Sequence, residues 1–362
     1  MAKSFLDIEH NIENFKESIS ESMTHGSVRC FESMFRAFDN FCISKYQKGM
    51  HEVISEIHRN PGNAVWKVLQ DWINYAKKEK LSTTTIRLRF SLLNKYLYWM
   101  GIKLDTRDVQ MNLNFPSKVK EKKYPLKLEE IHRIFSVARY DKKVLYICQL
   151  SSLMRIGELC QLRKKDLDLS RPQITVNIPA SIAKFDKERT TFFSKEASAM
   201  LRPKLKNLDD NDVIFPLEVK EASNAGAIEQ ATLAEYLAKI GLDMRYESSG
   251  YLKISTHSFR AYGITKVKRI DPALAYFLAG QESKIYLPQY DRLAEDPEEL
   301  YQTYLKIEPE LLIFERKEDT EEYKEKIALQ VLEKISNMDA LEFMALKQRL
   351  GLTDTLKDLV KQ

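Results

Sequence analysis

Apolar residues recur at three- and four-residue steps through most of the first 115 residues, and this periodicity predicts amphipathic helices. The first long helix is predicted from Ser27. Its apolar stripe consists of Val28, Cys30, Phe31, Met34, Phe35, Phe38 and Phe41. The NPG tripeptide at 60–62 should end it. A second helix follows, with an apolar face that runs from Val65 to Ala76.

A third helix is predicted over LSTTTIRLRFSLLNKYLYWMG, because Ser82 or Thr83 can cap its start and Gly101 its end. Its core stripe consists of Ile86, Phe90, Leu93, Leu97 and Met100. A second face carries Arg87, Ser91, Asn94 and Lys95. A charged face of this kind is usually just solvated, and contact with a nucleic acid is the alternative for Arg87 and Lys95.

The pattern changes at residues 116–124, where little can be buried. Four lysines crowd this segment: Lys118, Lys120, Lys122 and Lys123. Their mutual repulsion predicts an extended linker, which Pro125 closes and which can also lie along a phosphate backbone. The helices before it and the mixed elements after it therefore belong to different domains.

The part after Pro125 mixes helical and strand patterns. A helix is predicted around Ile131 and Ile134, and another leads from Val144 to Leu150. Alternation in QITVNI and in TTFF (residues 190–193) predicts two strands joined by the cation-rich hairpin PASIAKFDKER. Further helices are predicted over residues 227–241, from Ala261, and in the tail beyond Glu308. The fold class is mainly α with a small antiparallel β-sheet.

Composition narrows the class of protein. The chain has 362 residues, of which 44% are hydrophobic and 30% are charged, as in soluble globular proteins. A net charge of +5 slightly favours a polyanionic partner. Four cysteines lie far apart in apolar patterns without a CxxC pair, which suggests a reducing compartment. We see no secretory signal or bilayer-spanning run and expect a cytoplasmic, DNA-associated protein.

Five side chains suit the cleavage of a phosphodiester without a metal. They are Arg155, Lys184, His257, Arg260 and Tyr290. Arginine binds phosphate oxygens through a planar fork and stays charged, so two arginines can replace a metal clamp. Lysine can protonate the leaving 5′ oxygen, histidine can shuttle a proton, and tyrosine can form a covalent phosphotyrosine.

Each of these residues has an ordinary structural explanation. Arg155 can form a helix ion pair with Glu158, and His257 can be a core or capping histidine. Lys184 can be an ordinary solvent-exposed residue of a charged hairpin. The chain has 17 tyrosines, so the presence of Tyr290 alone does not indicate a nucleophile. The ordered set of Arg, Lys, HxxR and Tyr, after a helical domain and a basic linker, is what favours phosphodiester chemistry.

These motifs resemble the tyrosine recombinase, or phage integrase, family. The box R-x-x-E-L-x-x-L-x-x-x-D matches RIGELCQLRKKD from Arg155, and HxxR matches HSFR from His257. The family's hairpin lysine corresponds to Lys184, with Lys187 as a fallback. Its last box, L-G-H with the tyrosine ten residues after the glycine, corresponds to residues 278–281 and Tyr290. The spacing fits three other tyrosines less well: Tyr286, Tyr301 and Tyr304. The residues after Tyr290 resemble integrases of archaeal viruses and plasmids.

The resemblance implies the domain organisation and the partner. It implies a helical core-binding domain (25–115) and a catalytic domain (125–306). The residue pattern adds a leader (1–24), the basic linker (116–124) and a helical tail (307–362). Family members clamp duplex DNA between the two domains, usually as homotetramers, and need neither a metal nor another cofactor. The tail either exchanges between protomers or covers its own. Gln281 departs from the usual histidine or tryptophan, and glutamine can donate a hydrogen bond but cannot titrate.

Other functions have less support. HEVISEIH lacks the HExxH spacing of a zinc site. The phosphate-binding motif GxxxxGK[ST] does not occur, and neither does the serine-nucleophile motif GxSxG. A degenerate recombinase that binds DNA without cutting it rests only on Gln281. A type IB topoisomerase-like enzyme shares the chemistry but relaxes supercoils as a monomer. A helical scaffold would require the motif order to be a coincidence.

Overall fold

The computed structural model describes six stretches of the chain, which divide into two compact units. The described residues are 11–59, 62–117, 122–183, 187–216, 225–281 and 295–314. Over these residues, unit 1 comprises Met1–Pro125 and Val219–Ser255, and unit 2 comprises Leu126–Glu218 and Thr256–Gln362. Residues 219–255, which fall within the predicted catalytic domain, thus group with unit 1. The five predicted domain ranges remain predictions.

Helices dominate both units. In chain order they are α1 (Ile12–Ser22), α2 (His25–Tyr46), α3 (Met50–Arg59), α4 (Asn63–Lys78), α5 (Thr83–Trp99), α6 (Thr106–Asn112), α7 (Leu128–Val137), α8 (Tyr140–Ser152), α9 (Ile156–Leu159), α10 (Lys195–Leu205), α11 (Ala225–Lys239), α12 (Thr256–Ile270), α13 (Pro272–Ala279) and α14 (Pro297–Ile307). The strands are β1 (Leu167–Asp168), β2 (Thr175–Ile178) and β3 (Arg189–Phe192). None of the described helices is long and apolar enough to cross a membrane. These helices and strands confirm the predicted fold class, which is mainly α with a small antiparallel β-sheet.

The first predicted helix is in fact two helices, α2 and α3. Gln47 adopts a left-handed conformation (φ 59°) and donates its backbone N–H to Ile43, which ends α2. The carboxylate of Asp39 then accepts the N–H of Met50 at 2.8 Å, where α3 begins. Both apolar stripes still face one core, so the periodicity alone did not reveal the break.

Helix α5 agrees with its prediction. Ser82 is the N-cap, and its side chain accepts the N–H of Thr85 at 3.1 Å. The buried core residues of α5 are Ile86, Phe90, Leu93, Tyr96 and Leu97. Arg87 and Lys95 are exposed, and their cationic groups lie 4.7 and 6.0 Å from the ring centres of Phe115 and Phe31. Contact of this face with DNA remains a prediction.

The sheet has three antiparallel strands in the order β1-β2-β3. Strands β2 and β3 are the two predicted ones, and Thr175 pairs with Phe192 while Ile178 pairs with Arg189. Strand β1 was missed because two residues are too few to show alternation. The pairing places Arg189 where the chain enters β3 after the cation-rich hairpin.

Helix α12 begins at Thr256, so the prediction of a helix from Ala261 was wrong. The HSFR segment forms its first turns, since no glycine or proline interrupts residues 256–262. One glycine further along decides how α12 packs. A Cβ on Gly263 would lie 2.2 Å from the carbonyl oxygen of Leu150 and 2.5 Å from a side-chain carbon of Leu153. Glycine therefore allows α12 to touch the backbone of α8.

We predict that Gly263→Ala destabilises the protein, because its methyl group would overlap a backbone oxygen that cannot rotate away. Overpacking of this kind typically costs about 1–3 kcal/mol. Urea unfolding of the two proteins measures the difference. The matched control is Gly157→Ala, a helical glycine of the same unit whose Cβ would meet nothing within 4 Å. Equal stability of Gly263→Ala and the wild type would contradict the close approach.

Candidate active site

The turn from α8 into α9 presents the first site arginine. Helix α8 ends at Leu153 in the left-handed region (φ 58°), and Arg155 is the N-cap of α9. The carboxylate of Glu158 accepts the backbone N–H of Arg155 at 2.9 Å, as the third residue of a capping box does. Its other oxygen accepts Nη1 of Arg155 at 2.9 Å. The predicted ion pair is therefore present.

The same carboxylate binds a second arginine from the sheet. Nη2 of Arg189 donates to Oε2 of Glu158 at 2.6 Å, and Nη1 donates to Oε1 at 3.4 Å. The side chains of Arg189 and Glu158 are only 8% and 3% exposed. A buried carboxylate is costly unless it is paired, so Glu158 depends on these guanidinium groups.

Three arginines also converge on the end of α13. Three consecutive carbonyl oxygens accept one guanidinium each: Leu278 accepts Nε of Arg189 at 3.2 Å, Ala279 accepts Nη2 of Arg260 at 2.7 Å, and Gly280 accepts Nη2 of Arg155 at 3.3 Å. The last carbonyls of a helix have no partner within it and carry the negative end of its dipole. Cations from three elements therefore cap α13.

Gly280 gives this end its shape. Its φ of 57° is left-handed, and the backbone N–H groups of Gly280 and Gln281 donate to Phe277 and Tyr276. These two hydrogen bonds form a Schellman motif, which favours glycine at the left-handed position. A Cβ on Gly280 would also lie 2.9 Å from Cζ of Arg189. Gln281, the predicted departure from the family pattern, follows directly and is half-buried.

Arg260 is fully buried in α12. One of its terminal nitrogens donates to the carbonyl oxygen of Leu153, and its Nε has no acceptor among the described residues. Burial, together with the nearby charge of Arg155, lowers the pKa of Arg260 to about 9, so it remains a cation at neutral pH. Burial alone would raise the pKa of Glu158, but the hydrogen bonds and charge of Arg189, with those of Arg155, hold it below its ordinary value.

The other predicted site residues are placed as follows. His257 is exposed on the first turn of α12, one turn before Arg260. Lys187, the fallback lysine, is exposed just before β3. Lys122 and Lys123 are exposed before Pro125. Four predicted residues lie outside the described stretches: Lys118, Lys120, Lys184 and Tyr290. The structure thus brings together Arg155, Arg260 and the backbone before Gln281.

Two of the tyrosines with poorer spacing are engaged in the core of unit 2. The hydroxyl of Tyr301 donates to Oε1 of Gln173 at 2.7 Å, and that of Tyr304 donates to the carbonyl of Ser151 at 3.3 Å. Burial raises the pKa of the Tyr304 hydroxyl well above its ordinary value. A buried, bonded phenol is a poor nucleophile, which disfavours both residues. Tyr286 lies outside the described residues.

Comparison with known proteins identifies the family of one part of the chain. Residues 124–268 match the model of the phage integrase family. The chain contains a phage integrase domain. This stretch, the integrase domain below, includes Arg155, Lys184, His257 and Arg260, whereas Gln281 and Tyr290 follow it.

Curated relatives and a solved structure are similar over longer stretches. A probable integrase/recombinase of Aquifex aeolicus is 27% identical over 53% of this chain and 70% of the relative. Tyrosine recombinase XerA of Saccharolobus solfataricus is 22% identical over 57% of this chain and 69% of that protein. The integrase of transposon Tn1549, in complex with transposon right-end DNA, superposes with a TM-score of 0.53 at 15% identity, over 81% of this chain and 97% of that structure. The fold is therefore that of tyrosine recombinases.

Arg189 was not among the predicted site residues. AKFDKER was predicted to be a charged hairpin tip, and Glu158 was predicted to pair with Arg155 alone. The one local signal is a cation at the first position of a strand that continues with TTFF. The later residues of this strand are buried, so the cation has limited access to solvent. That signal does not identify Glu158 as its partner within the integrase domain.

We predict that Glu158→Gln destabilises the protein, because it leaves the half-buried Arg155 and the buried Arg189 without their carboxylate. Breaking a buried ion pair on one side costs about 3–5 kcal/mol. Because its folded pKa is lowered, Glu158 stabilises the fold above its unfolded pKa and loses this effect as the pH falls through the folded value. The stability gap between wild type and variant should therefore be full at neutral pH and shrink below about pH 4.

Urea unfolding at a series of pH values measures this gap. Glu298→Gln is the control, since Glu298 pairs with Arg171 at 2.6 Å but is exposed. Exposed pairs contribute little, so the control should unfold like the wild type. A gap for Glu158→Gln that stays constant into acid would show that its charge is not what stabilises the cluster.

Proposed function

We propose that this protein is a site-specific DNA recombinase that cleaves and rejoins duplex DNA through a 3′-phosphotyrosine. The hydroxyl oxygen of Tyr290 attacks the scissile phosphorus and forms the new P–O bond. The bond to the 5′ oxygen breaks, and that oxygen leaves as a hydroxyl after taking up a proton. Attack by this hydroxyl on the phosphotyrosine, on the same or another strand, reverses the step and restores Tyr290.

The convergence of Arg155 and Arg260 on adjacent carbonyls of α13 carries the proposal. Their terminal nitrogens lie on the oxygens of Gly280 and Ala279, so two guanidinium groups from distant parts of the chain share one small volume. Together with Arg189 they outnumber the single carboxylate of Glu158, and a bound phosphate would offset this excess positive charge. Donors fixed in advance around the phosphate are typically the largest contribution to such a reaction.

The remaining roles follow from chemistry and position. His257, exposed on the same helix as Arg260, moves the nucleophile's proton, because an imidazole can both accept and donate a proton. Lys184 protonates the leaving 5′ oxygen. Gln281 follows the arginine-capped end of α13 and donates a hydrogen bond to a non-bridging oxygen, a donor that cannot titrate. No metal or other cofactor takes part in these steps.

Cations outside the catalytic centre bind the DNA backbone in this proposal. They are Arg87, Lys95, Lys118, Lys120, Lys122 and Lys123. Such contacts fix the position of the duplex without specifying its sequence. Four copies assemble on two recombination sites, and the protein acts in the cytoplasm on the nucleoid. Support comes from the exposure of Arg87, Lys95, Lys122 and Lys123 and from the Tn1549 integrase, whose structure is a complex with DNA.

We predict that Tyr290→Phe abolishes the covalent protein–DNA adduct, because phenylalanine lacks the attacking oxygen. The substrate is a duplex carrying the sequence found at the junctions that flank the gene of this protein in the host chromosome. A nick in this duplex lets the 5′-hydroxyl fragment diffuse away after cleavage. Denaturing electrophoresis measures the trapped adduct. Tyr301→Phe and Tyr304→Phe are the matched controls and should still form it. An adduct that persists in Tyr290→Phe would refute the assignment.

Two further conditions sharpen this experiment. Cleavage should survive EDTA, since arginines supply the charge around the phosphate, and complete inhibition would contradict that role. Strand exchange between two sites should occur along with cleavage. Relaxation of supercoils without any exchange between sites would instead favour a topoisomerase.

We predict that Lys184→Met slows cleavage by about 10²–10⁴-fold, as loss of a general acid does. Replacing the 5′ bridging oxygen by sulfur should restore most of the rate, because a thiolate leaves without prior protonation. Lys187→Met is the control and should cleave ordinary DNA at nearly the wild-type rate. If Lys187→Met were the variant rescued by sulfur, the general acid would be Lys187.

A further inference from the structure

We infer that Arg189 is a positioning residue of the catalytic centre, which sets Arg155 through Glu158 and fixes the end of α13 that leads into Gln281. This inference rests on the proposed function, since it assigns a role within that reaction. Arg189 is not a residue that touches the phosphate in this scheme. It holds the groups that do.

Glu158 is a carboxylate that two arginines share. Glu158 binds Arg155 on one side and Arg189 on the other, at 2.9 and 2.6 Å. Arg155 is 25% exposed, whereas Arg189 is 8% exposed, so the inner arginine is the one held most firmly by its surroundings. Arg155 is therefore the accessible member of a chain of ion pairs whose buried end is Arg189.

Arg189 also contacts the end of α13. Nε of Arg189 donates to the carbonyl of Leu278 at 3.2 Å, and its guanidinium lies where a side chain on residue 280 would be. Gly280 in turn presents its carbonyl to Arg155. One side chain thus sets both ends of the contact between Arg155 and α13.

The shape of the guanidinium group matters as well as its charge. Arg189 uses all three nitrogens, two on Glu158 and one on Leu278. A lysine ammonium carries the same charge but has one nitrogen, so it cannot span both partners with this geometry. Charge alone is therefore not the property that the site requires at position 189.

Arg189 also follows directly on the hairpin that precedes β3. Arg189 is the first residue of β3, and Lys184 precedes it by five residues in the sequence. The pairing of Ile178 with Arg189 closes the sheet end of this hairpin. Arg189, which holds Arg155 through Glu158, thus also lies at the base of the hairpin whose sequence contains Lys184, the proposed general acid.

The experiment measures single-turnover cleavage of the nicked substrate by Arg189→Lys and Arg189→Met, with DNA affinity measured alongside. Misplacing catalytic groups by about 1 Å can cost 10²-fold in rate, so we expect a loss of about tenfold to a hundredfold for both variants. DNA affinity should stay within about twofold, because the duplex is held elsewhere. Arg171→Met, which removes the exposed pair with Glu298, is the control and should cleave normally.

The pH dependence separates positioning from loss of structure. Glu158 faces Arg155 at the start of α9, Arg189 on β3 and Arg260 on α12. Burial raises the pKa of Glu158, and the hydrogen bonds and charge of Arg189 lower it. The pKa of Glu158 therefore rises when Arg189 is removed. Cleavage by Arg189→Met should therefore fall more steeply than wild-type cleavage as the pH decreases from about 8 to 5. The double variant Arg189→Met/Glu158→Gln should lose this extra slope.

Gly280→Ala tests the same contact from the side of α13 and leaves every charge of the cluster in place. Its methyl group would displace the guanidinium of Arg189 and should slow cleavage by about tenfold to a hundredfold. Because both changes act on one contact, Gly280→Ala combined with Arg189→Met should slow cleavage by less than the product of the single effects.

Each result decides the matter. Wild-type cleavage rates in both Arg189 variants, or full recovery in Arg189→Lys, would overturn the positioning role while leaving the proposed function intact. A slow Arg189→Met with a wild-type pH profile would also overturn it, since Glu158 would then be insensitive to Arg189. A wild-type protein that forms no adduct would refute the proposed function and the inference with it.

Discussion

The burial of one carboxylate among three arginines is the constraint on which unit 2 depends. Glu158 is 3% exposed and would be strongly destabilising without Arg155 and Arg189. The arginines, together with Arg260, would repel one another without it. Each charge is therefore tolerated because the others are present. Four elements have to meet for this to happen: α9, β3, α12 and α13.

Two glycines make that meeting possible by allowing backbone to lie where a side chain would otherwise be. Gly263 lets α12 contact the carbonyl of Leu150, which brings Arg260 to the end of α8. Gly280 takes a left-handed φ and leaves room for the guanidinium of Arg189. Both are steric requirements of a close approach, and a single methyl group would disturb either one.

The arginine cluster serves stability and the proposed chemistry through the same contacts. Three cations cap the last carbonyls of α13, which carry the negative end of its dipole. The guanidinium groups are thus ordered before any phosphate binds. A phosphate would meet donors that need little reorganisation, which is the physical basis of electrostatic preorganisation. The buried Nε of Arg260 still lacks an acceptor among the residues that the structure describes.

The sequence alone predicted several of the longer helices, the two longer strands, the cap of α5 at Ser82 and the order of the recombinase motifs, because these follow from periodicity and from residues a few positions apart. Tertiary structure decided the rest. It divided the first long helix at Gln47 and joined Arg189 to Glu158 across 31 residues of sequence. An arginine shows its charge in the sequence but not its partner. Which carboxylate it neutralises depends on helices and strands packing together, and no local spacing records that distance.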